Sequence, residues 1–216
     1  MVAFAAGVQW RPSPNYSSRK GKPVECVVMH YTAGGSATGT CRWFAMREAR
    51  VSAHFVIARD GRVYQCVDLR NAAWHAGVAE AIIGGEARSD VNRRSIGIEL
   101  ANRGRLHKRN DRFWYESGRK EKLYSGPTPI RAALRFDTGK VVDGYWEPFP
   151  VHQLDAIDRI LGQLFKVGYE KAVGTILGHE SIGMPLGRKI DPGPAFPWDR
   201  WPSARKCQRT EGVIKP

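Results

Sequence analysis

The chain has no Cys-x-x-Cys pair: its four cysteines, Cys26, Cys41, Cys66 and Cys207, are scattered through 216 residues. None is therefore expected to hold a metal. An even count would permit two disulfides in a secreted protein, but the first ten residues lack a basic n-region and an adequate apolar core. No signal peptide is expected, and all four cysteines are read as thiols, with Cys26 and Cys66 buried. No run approaches the roughly 18 apolar residues of a membrane span. Helix-turn-helix, zinc-finger and aromatic ribonucleoprotein signatures are missing too. Acidic residues are scarce, with 21 Asp+Glu against 34 Lys+Arg, giving a net charge of +13. Such a surplus favours anionic partners. Without a recognition signature, nucleic acid has only this charge in its favour, whereas a carboxylate-rich polymer suits a basic surface equally well.

What is present describes one globular domain. A chain of this length buries about 70% of its unfolded surface and needs no disulfide or structural metal to fold. Residues 9–22 are polar and proline-interrupted, an extended lead-in. Glu25–Thr32 is a short apolar run that predicts a buried strand. Residues 37–49 have helical character, with Trp43, Phe44 and Met46 toward the inner face. Phe55–Ala58 and Val63–Val67 flank Arg59-Asp60-Gly61-Arg62, a hairpin signal. Ser95–Ala101 predicts another strand. Residues 103–147 are basic, Gly/Pro-punctuated and poor in long apolar runs, an insertion of short strands or loops. Gln153–Tyr169 carries Leu154, Ile157, Leu161, Leu164 and Phe165 at helical spacing. Thr175–Leu177 predicts a last strand. Strands interleaved with helices make an α/β domain with a mixed central β-sheet flanked by helices.

The chemistry concentrates near the C-terminus. Gly178-His179-Glu180 is followed by Lys189-Ile190-Asp191-Pro192-Gly193-Pro194, so a histidine, a lysine and an aspartate share one proline-stiffened loop. Histidine and carboxylate are two of the usual zinc ligands, and a catalytic zinc takes three protein ligands and leaves one position open. His30, at the end of Val27-Val28-Met29, is the best candidate for the third. Lys189, two residues from Asp191, would place a positive charge beside the ion. Glu99 has small alternate neighbours, Gly97 and Ala101, which leave room for a cavity on its face of the strand. Ile96, Ile98 and Leu100 point the other way.

Four blocks in this order resemble the zinc-dependent N-acetylmuramoyl-L-alanine amidases, a family that includes murein-recycling amidases, phage amidase lysozymes and animal peptidoglycan recognition proteins. They are Val28-Met29-His30-Tyr31-Thr32-Ala33-Gly34; Val51-Ser52-Ala53-His54-Phe55-Val56-Ile57 with Arg59-Asp60-Gly61; Ala73-Trp74-His75-Ala76-Gly77 followed by Ser95-Ile96-Gly97-Ile98-Glu99-Leu100; and His179 through Trp198. The resemblance implies a zinc site on His30, His179 and Asp191 at one edge of the sheet. It implies Glu99 as general base and Lys189 as the cation that stabilises the tetrahedral oxyanion. Trp74 and His75 would line the substrate groove or serve a structural role, and His54 would support the site from behind or simply pack there. Asp191 places the chain in the carboxylate branch, because some phage members have cysteine there. Ala53 stands where some branches place a tyrosine, which leaves more to Glu99. The bond cut would join N-acetylmuramic acid to L-alanine of the stem peptide.

The implied organisation is a lead-in at 1–22, an amidase domain at 23–205 with its insertion near 103–147, and a tail at 206–216. A monomer acting on peptidoglycan is expected. The basic surface and missing signal peptide point to a phage-type endolysin, bacteriolytic and antimicrobial, made in the bacterial cytoplasm and acting on the wall after release. The alternatives are a cytosolic recycling amidase for soluble muropeptides and a peptidoglycan-binding module that does not cut.

Overall fold

The computed structural model describes residues 7–118, 120–201 and 210–214. Cys207 and residues 1–6 of the expected leaderless N-terminus lie outside them. The first half of the chain forms β1 (Val8–Trp10), β2 (Tyr16–Ser18), β3 (Cys26–Tyr31), α1 (Ala37–Phe44), β4 (Phe55–Ile57) and β5 (Val63–Gln65). It continues through β6 (Asn71–Ala73), β7 (Ala81–Ile83), β8 (Glu86–Arg88), α2 (Val91–Arg94) and β9 (Ser95–Leu100). The insertion supplies β10 (Arg105–Arg109), β11 (Arg112–Ser117), β12 (Lys120–Leu123), β13 (Ile130–Phe136) and β14 (Val141–Trp146). Then come α3 (Val151–Lys166), α4 (Glu170–Val173), β15 (Ile176–Gly178), α5 (His179–Ile182) and β16 (Thr210–Ile214).

The central sheet has the order β1-β5-β4-β9-β3-β15. Only the β4–β5 hairpin is antiparallel, so the sheet is mixed, as expected. Its two faces are set by alternation along the strands. Val27, Met29, Ile96, Ile98 and Leu100 pack with Ile157, Ile160, Leu161 and Leu164 of α3. Cys26, Val28 and Leu177 belong to a separate cluster on the other face, with Val91 and Ile182. His30 and Glu99 share that second face and stand side by side in the β3–β9 register. The site therefore grows from the face opposite α3.

Local chemistry explains several ends. Ser36 caps α1 by accepting from the Gly39 N–H at 3.0 Å. Gly61 turns the β4–β5 hairpin at φ +79, and a Cβ there would lie 2.6 Å from the His152 carbonyl oxygen. α3 begins directly after Pro150, whose missing N–H costs nothing outside the helix. One expectation fails: Trp43 and Met46 are 49% and 48% exposed, and α1 buries Ala37, Cys41 and Phe44 instead. Trp43 lies off the i, i+4, i+7 stripe of Ala37, Cys41 and Phe44, and Met46 lies beyond the helix end.

The insertion carries short strands, and these join into a sheet that the sequence did not foretell. It builds a second, wholly antiparallel sheet, β12-β11-β10-β14-β13-β16, completed by the C-terminal strand. Ala132 and Trp146 of this sheet enter the α3-side core, which ties the two sheets into one unit. Cys26, Cys41 and Cys66 are buried thiols.

Candidate metal centre

Three elements bring the ligand atoms together. β3 delivers His30 at its C-terminal end, α5 opens with His179 directly after β15, and the loop beyond carries Asp191. His30 Nδ1 lies 3.0 Å from His179 Nδ1 and 3.0 Å from Asp191 Oδ2, and His179 Nδ1 lies 2.9 Å from Asp191 Oδ2. Among the described residues this is the one His/Cys/Asp/Glu group whose ligand atoms all lie within 4.8 Å of one another.

Neighbouring hydrogen bonds fix the tautomers. The Ser95 hydroxyl donates to the Val91 carbonyl at 2.6 Å, so its oxygen accepts from His75 Nε2–H at 3.0 Å. His75 Nδ1 is then bare and accepts from His30 Nε2–H at 3.0 Å. His30 Nδ1 is left as a lone pair. On the other side, His179 Nε2–H donates to the Ala76 carbonyl at 3.1 Å, which bares His179 Nδ1 as well. Two imidazole lone pairs and a carboxylate oxygen thus converge in a buried spot with no proton between them. Such a donor set is repulsive without a cation and suits zinc. Three ligand atoms of a tetrahedral zinc site stand about 3.3 Å apart, close to the separations here.

The electrostatics agree. Burial, followed by the neighbouring His179 imidazole, lowers His30 to about 4, so it is neutral near pH 7. Burial alone would raise the Asp191 carboxyl; positive charge on His179 and His30 would hold it well below the usual carboxylate range, and with both rings neutral that stabilising charge has to come from a cation. Burial raises the carboxyl of Glu180, the residue after His179, well above that range. His54, which was expected to pack, is fully buried and lowered to about 3, first by burial and then by Arg19. Its Nδ1 accepts from the Gly97 N–H at 3.0 Å, which pins β9 behind the site.

The cluster opens into a cavity of about 630 Å³ that is also lined by Trp74, His75, Glu99, Arg103 and Lys189. The three candidate ligands, Glu99, Lys189, Trp74 and His75 therefore face one space, with His54 behind it. Glu99 Oε2 is buried with no hydrogen-bond partner among the described residues. Burial pushes its carboxyl up to about 8; Asp191 adds to the rise and Lys189 opposes it. His75 combines the groove-lining and structural roles between which the sequence left it open. Its ring packs on Gly97, where a Cβ would lie 2.5 Å away, and it holds His30 by a hydrogen bond. Asn92 Oδ1 accepts from the His75 and Ala76 N–H groups at 3.1 and 2.8 Å and so fixes this turn. Ser95, Asn92 and Arg103 went unnoticed in the sequence because each acts through a non-local partner.

The family of N-acetylmuramoyl-L-alanine amidases matches residues 20–194. The 1,6-anhydro-N-acetylmuramyl-L-alanine amidase AmpD of Salmonella typhimurium is 31% identical over 208 residues, which cover 88% of this chain and 86% of that protein. A solved selenomethionine derivative of AmpD superimposes with a TM-score of 0.61 at 25% identity, over 93% of this chain and 95% of that one. The amidase AmiD of Escherichia coli has been solved with the substrate anhydro-N-acetylmuramic acid-L-Ala-D-γ-Glu-L-Lys. It aligns with a TM-score of 0.56 at 23% identity, over 86% of this chain and 64% of that one. The chain spans only 56% of the full AmiD sequence.

Proposed function

The chain belongs to the N-acetylmuramoyl-L-alanine amidase family, and on that premise we propose that it hydrolyses the amide between N-acetylmuramic acid and the L-alanine of soluble anhydromuropeptides. The convergence of three bare ligand atoms beside a buried, unpartnered Glu99 carries the reading. His30, His179 and Asp191 hold the metal, which we take to be zinc. When bound, zinc supplies Lewis-acid polarisation of the scissile carbonyl and lowers the pKa of water toward ~7. Glu99 Oε2 takes the proton of the attacking water and returns it to the departing alanine nitrogen, a role worth roughly 10²–10⁴-fold. The Lys189 ammonium offsets the charge that develops on the carbonyl oxygen. Trp74 offers the substrate a flat apolar wall, and His75 orients His30.

The recycling-type substrate is preferred to the phage-type lysin expected from the charge. AmpD is named for 1,6-anhydro-N-acetylmuramyl-L-alanine, and the substrate bound to AmiD is an anhydromuropeptide. Among the described residues no helix is long and apolar enough to cross a membrane. The test compares a defined anhydromuropeptide with intact sacculi before chelation, after it, and after adding zinc back. Activity should vanish with the chelator and return with zinc, and the soluble substrate should be cleaved faster per bond. Faster cleavage of sacculi would restore the lysin reading.

A further inference from the structure

Arg103, in the loop between β9 and β10, lines the catalytic cavity together with Glu99 and Lys189. Its guanidinium carbon lies 3.9 Å from the centroid of the Tyr115 ring, on β11 of the second sheet. The same guanidinium lies against Gly35 in the loop between β3 and α1, where any Cβ would clash with it. Its backbone N–H donates to the Glu147 carboxylate. Arg59 already claims both oxygens of that carboxylate, with Nη2 at 2.7 and 2.8 Å. Among the described residues, no acceptor takes a hydrogen bond from the Arg103 side chain. Arg103 is therefore a held, half-buried cation with its donors free at the cavity wall.

We propose that Arg103 is a specificity-determining residue that binds a free carboxylate of the stem peptide through a paired hydrogen-bonded fork; this rests on the muropeptide amidase reading above. The planar guanidinium matches a carboxylate bidentately, and contact with an aromatic ring reduces the freedom lost on binding. A neutral sugar hydroxyl would leave the charge unmatched. A peptide such as L-Ala-D-γ-Glu-L-Lys offers two carboxylates, because the γ-linkage leaves the glutamate α-carboxylate free in addition to the C-terminus. Arg103 also fills the junction between the cavity and a smaller one of about 200 Å³ lined by Tyr115 and Tyr124, so the second sheet takes part in substrate selection.

The experiment uses anhydro-N-acetylmuramyl tripeptide in three forms: free acid, glutamate α-amide and C-terminal amide. Each is measured with wild type, Arg103→Gln and Arg103→Lys. For wild type, amidating the recognised carboxylate should lower kcat/KM by about 10- to 100-fold, mainly through KM, as expected for a charged hydrogen bond. Arg103→Gln should lose as much on the free acid and be indifferent to that amidation, and Arg103→Lys should recover part of the loss. The form that shows this non-additivity identifies the carboxylate. A uniform loss by Arg103→Gln on all three forms, or wild-type indifference to both amidations, would overturn the proposal. Calorimetric affinity for the same three compounds reads Arg103 independently of turnover. Carboxylate-dependent binding without cleavage would therefore count against the amidase reading and leave Arg103's role standing.

Discussion

In the proposed mechanism, Glu99 is the residue on which the chemistry turns. Its carboxyl is raised to about 8 against an ordinary 4.5 in the metal-free protein, chiefly by burial. Between those values the folded protein keeps a proton that the unfolded chain has released, so folding stability falls as pH rises through that window. Glu99→Gln removes this liability. In metal-free protein it should match wild type in urea melts at pH 4 and exceed it at pH 8. A variant no more stable than wild type at pH 8 would mean that Glu99 is ionised at little cost. With metal restored, the same variant should bind zinc and substrate and lose at least ~10²-fold in kcat, the usual contribution of a general base. Near-normal turnover would assign the proton transfer to another group.

Among the elements, the β3–β9 pair decides the site's geometry. Register places His30 beside Glu99, and the bare surface of Gly97 lets the His75 ring lie flat and reach His30 Nε2. A methyl at Gly97 must push that ring away. Gly97→Ala should cost about 1–3 kcal/mol as overpacking, and it should weaken zinc affinity by about 10–100-fold through the lost outer hydrogen bond. Chelator competition reads the second effect, and unchanged affinity would remove His75 from the support of His30. The sequence made these elements legible because their signals are local. The alternation Ile96/Ile98/Leu100 against Gly97/Glu99 reports its two faces directly, and α3 has a continuous apolar stripe. The second sheet was not legible: β13 pairs with the distant β16, and its inward residues Ala132 and Trp146 are separated by a hairpin of mixed polarity. The His30, His179 and Asp191 cluster could be anticipated from residue type and spacing together with the family resemblance. The tautomer-setting chain from Ser95 through His75 could not, because it forms only when Val91, Ser95 and His75 meet.

At the scale of the whole molecule the charge is uneven. Residues 103–140 hold eleven Lys or Arg and four Asp or Glu, a surplus of +7 out of the chain's +13. Part of it is neutralised locally, since Lys108, Arg109 and Arg131 pair with Asp111, Glu121 and Asp143. Arg112, Lys120, Lys122 and Arg135 are exposed. A like-charged surface speeds encounter with a polyanion, and screening removes the effect as the Debye length falls from ~10 Å at 0.1 M to ~3 Å at 1 M salt. Hydrolysis of sacculi should therefore drop steeply with salt while a small neutral muropeptide is barely affected. Changing those four residues to glutamine should flatten the sacculus curve. A parallel loss on both substrates would instead make the insertion a support for the active site.

The central claim is that three ligands and Glu99 cut one particular amide. Mass spectrometry of the zinc-loaded enzyme's products from anhydro-N-acetylmuramyl-L-Ala-D-γ-Glu-L-Lys tests it most directly. The account predicts free anhydro-N-acetylmuramic acid and an intact tripeptide, with neither formed by His179→Ala. Cleavage inside the peptide, or the same products from His179→Ala, would contradict it.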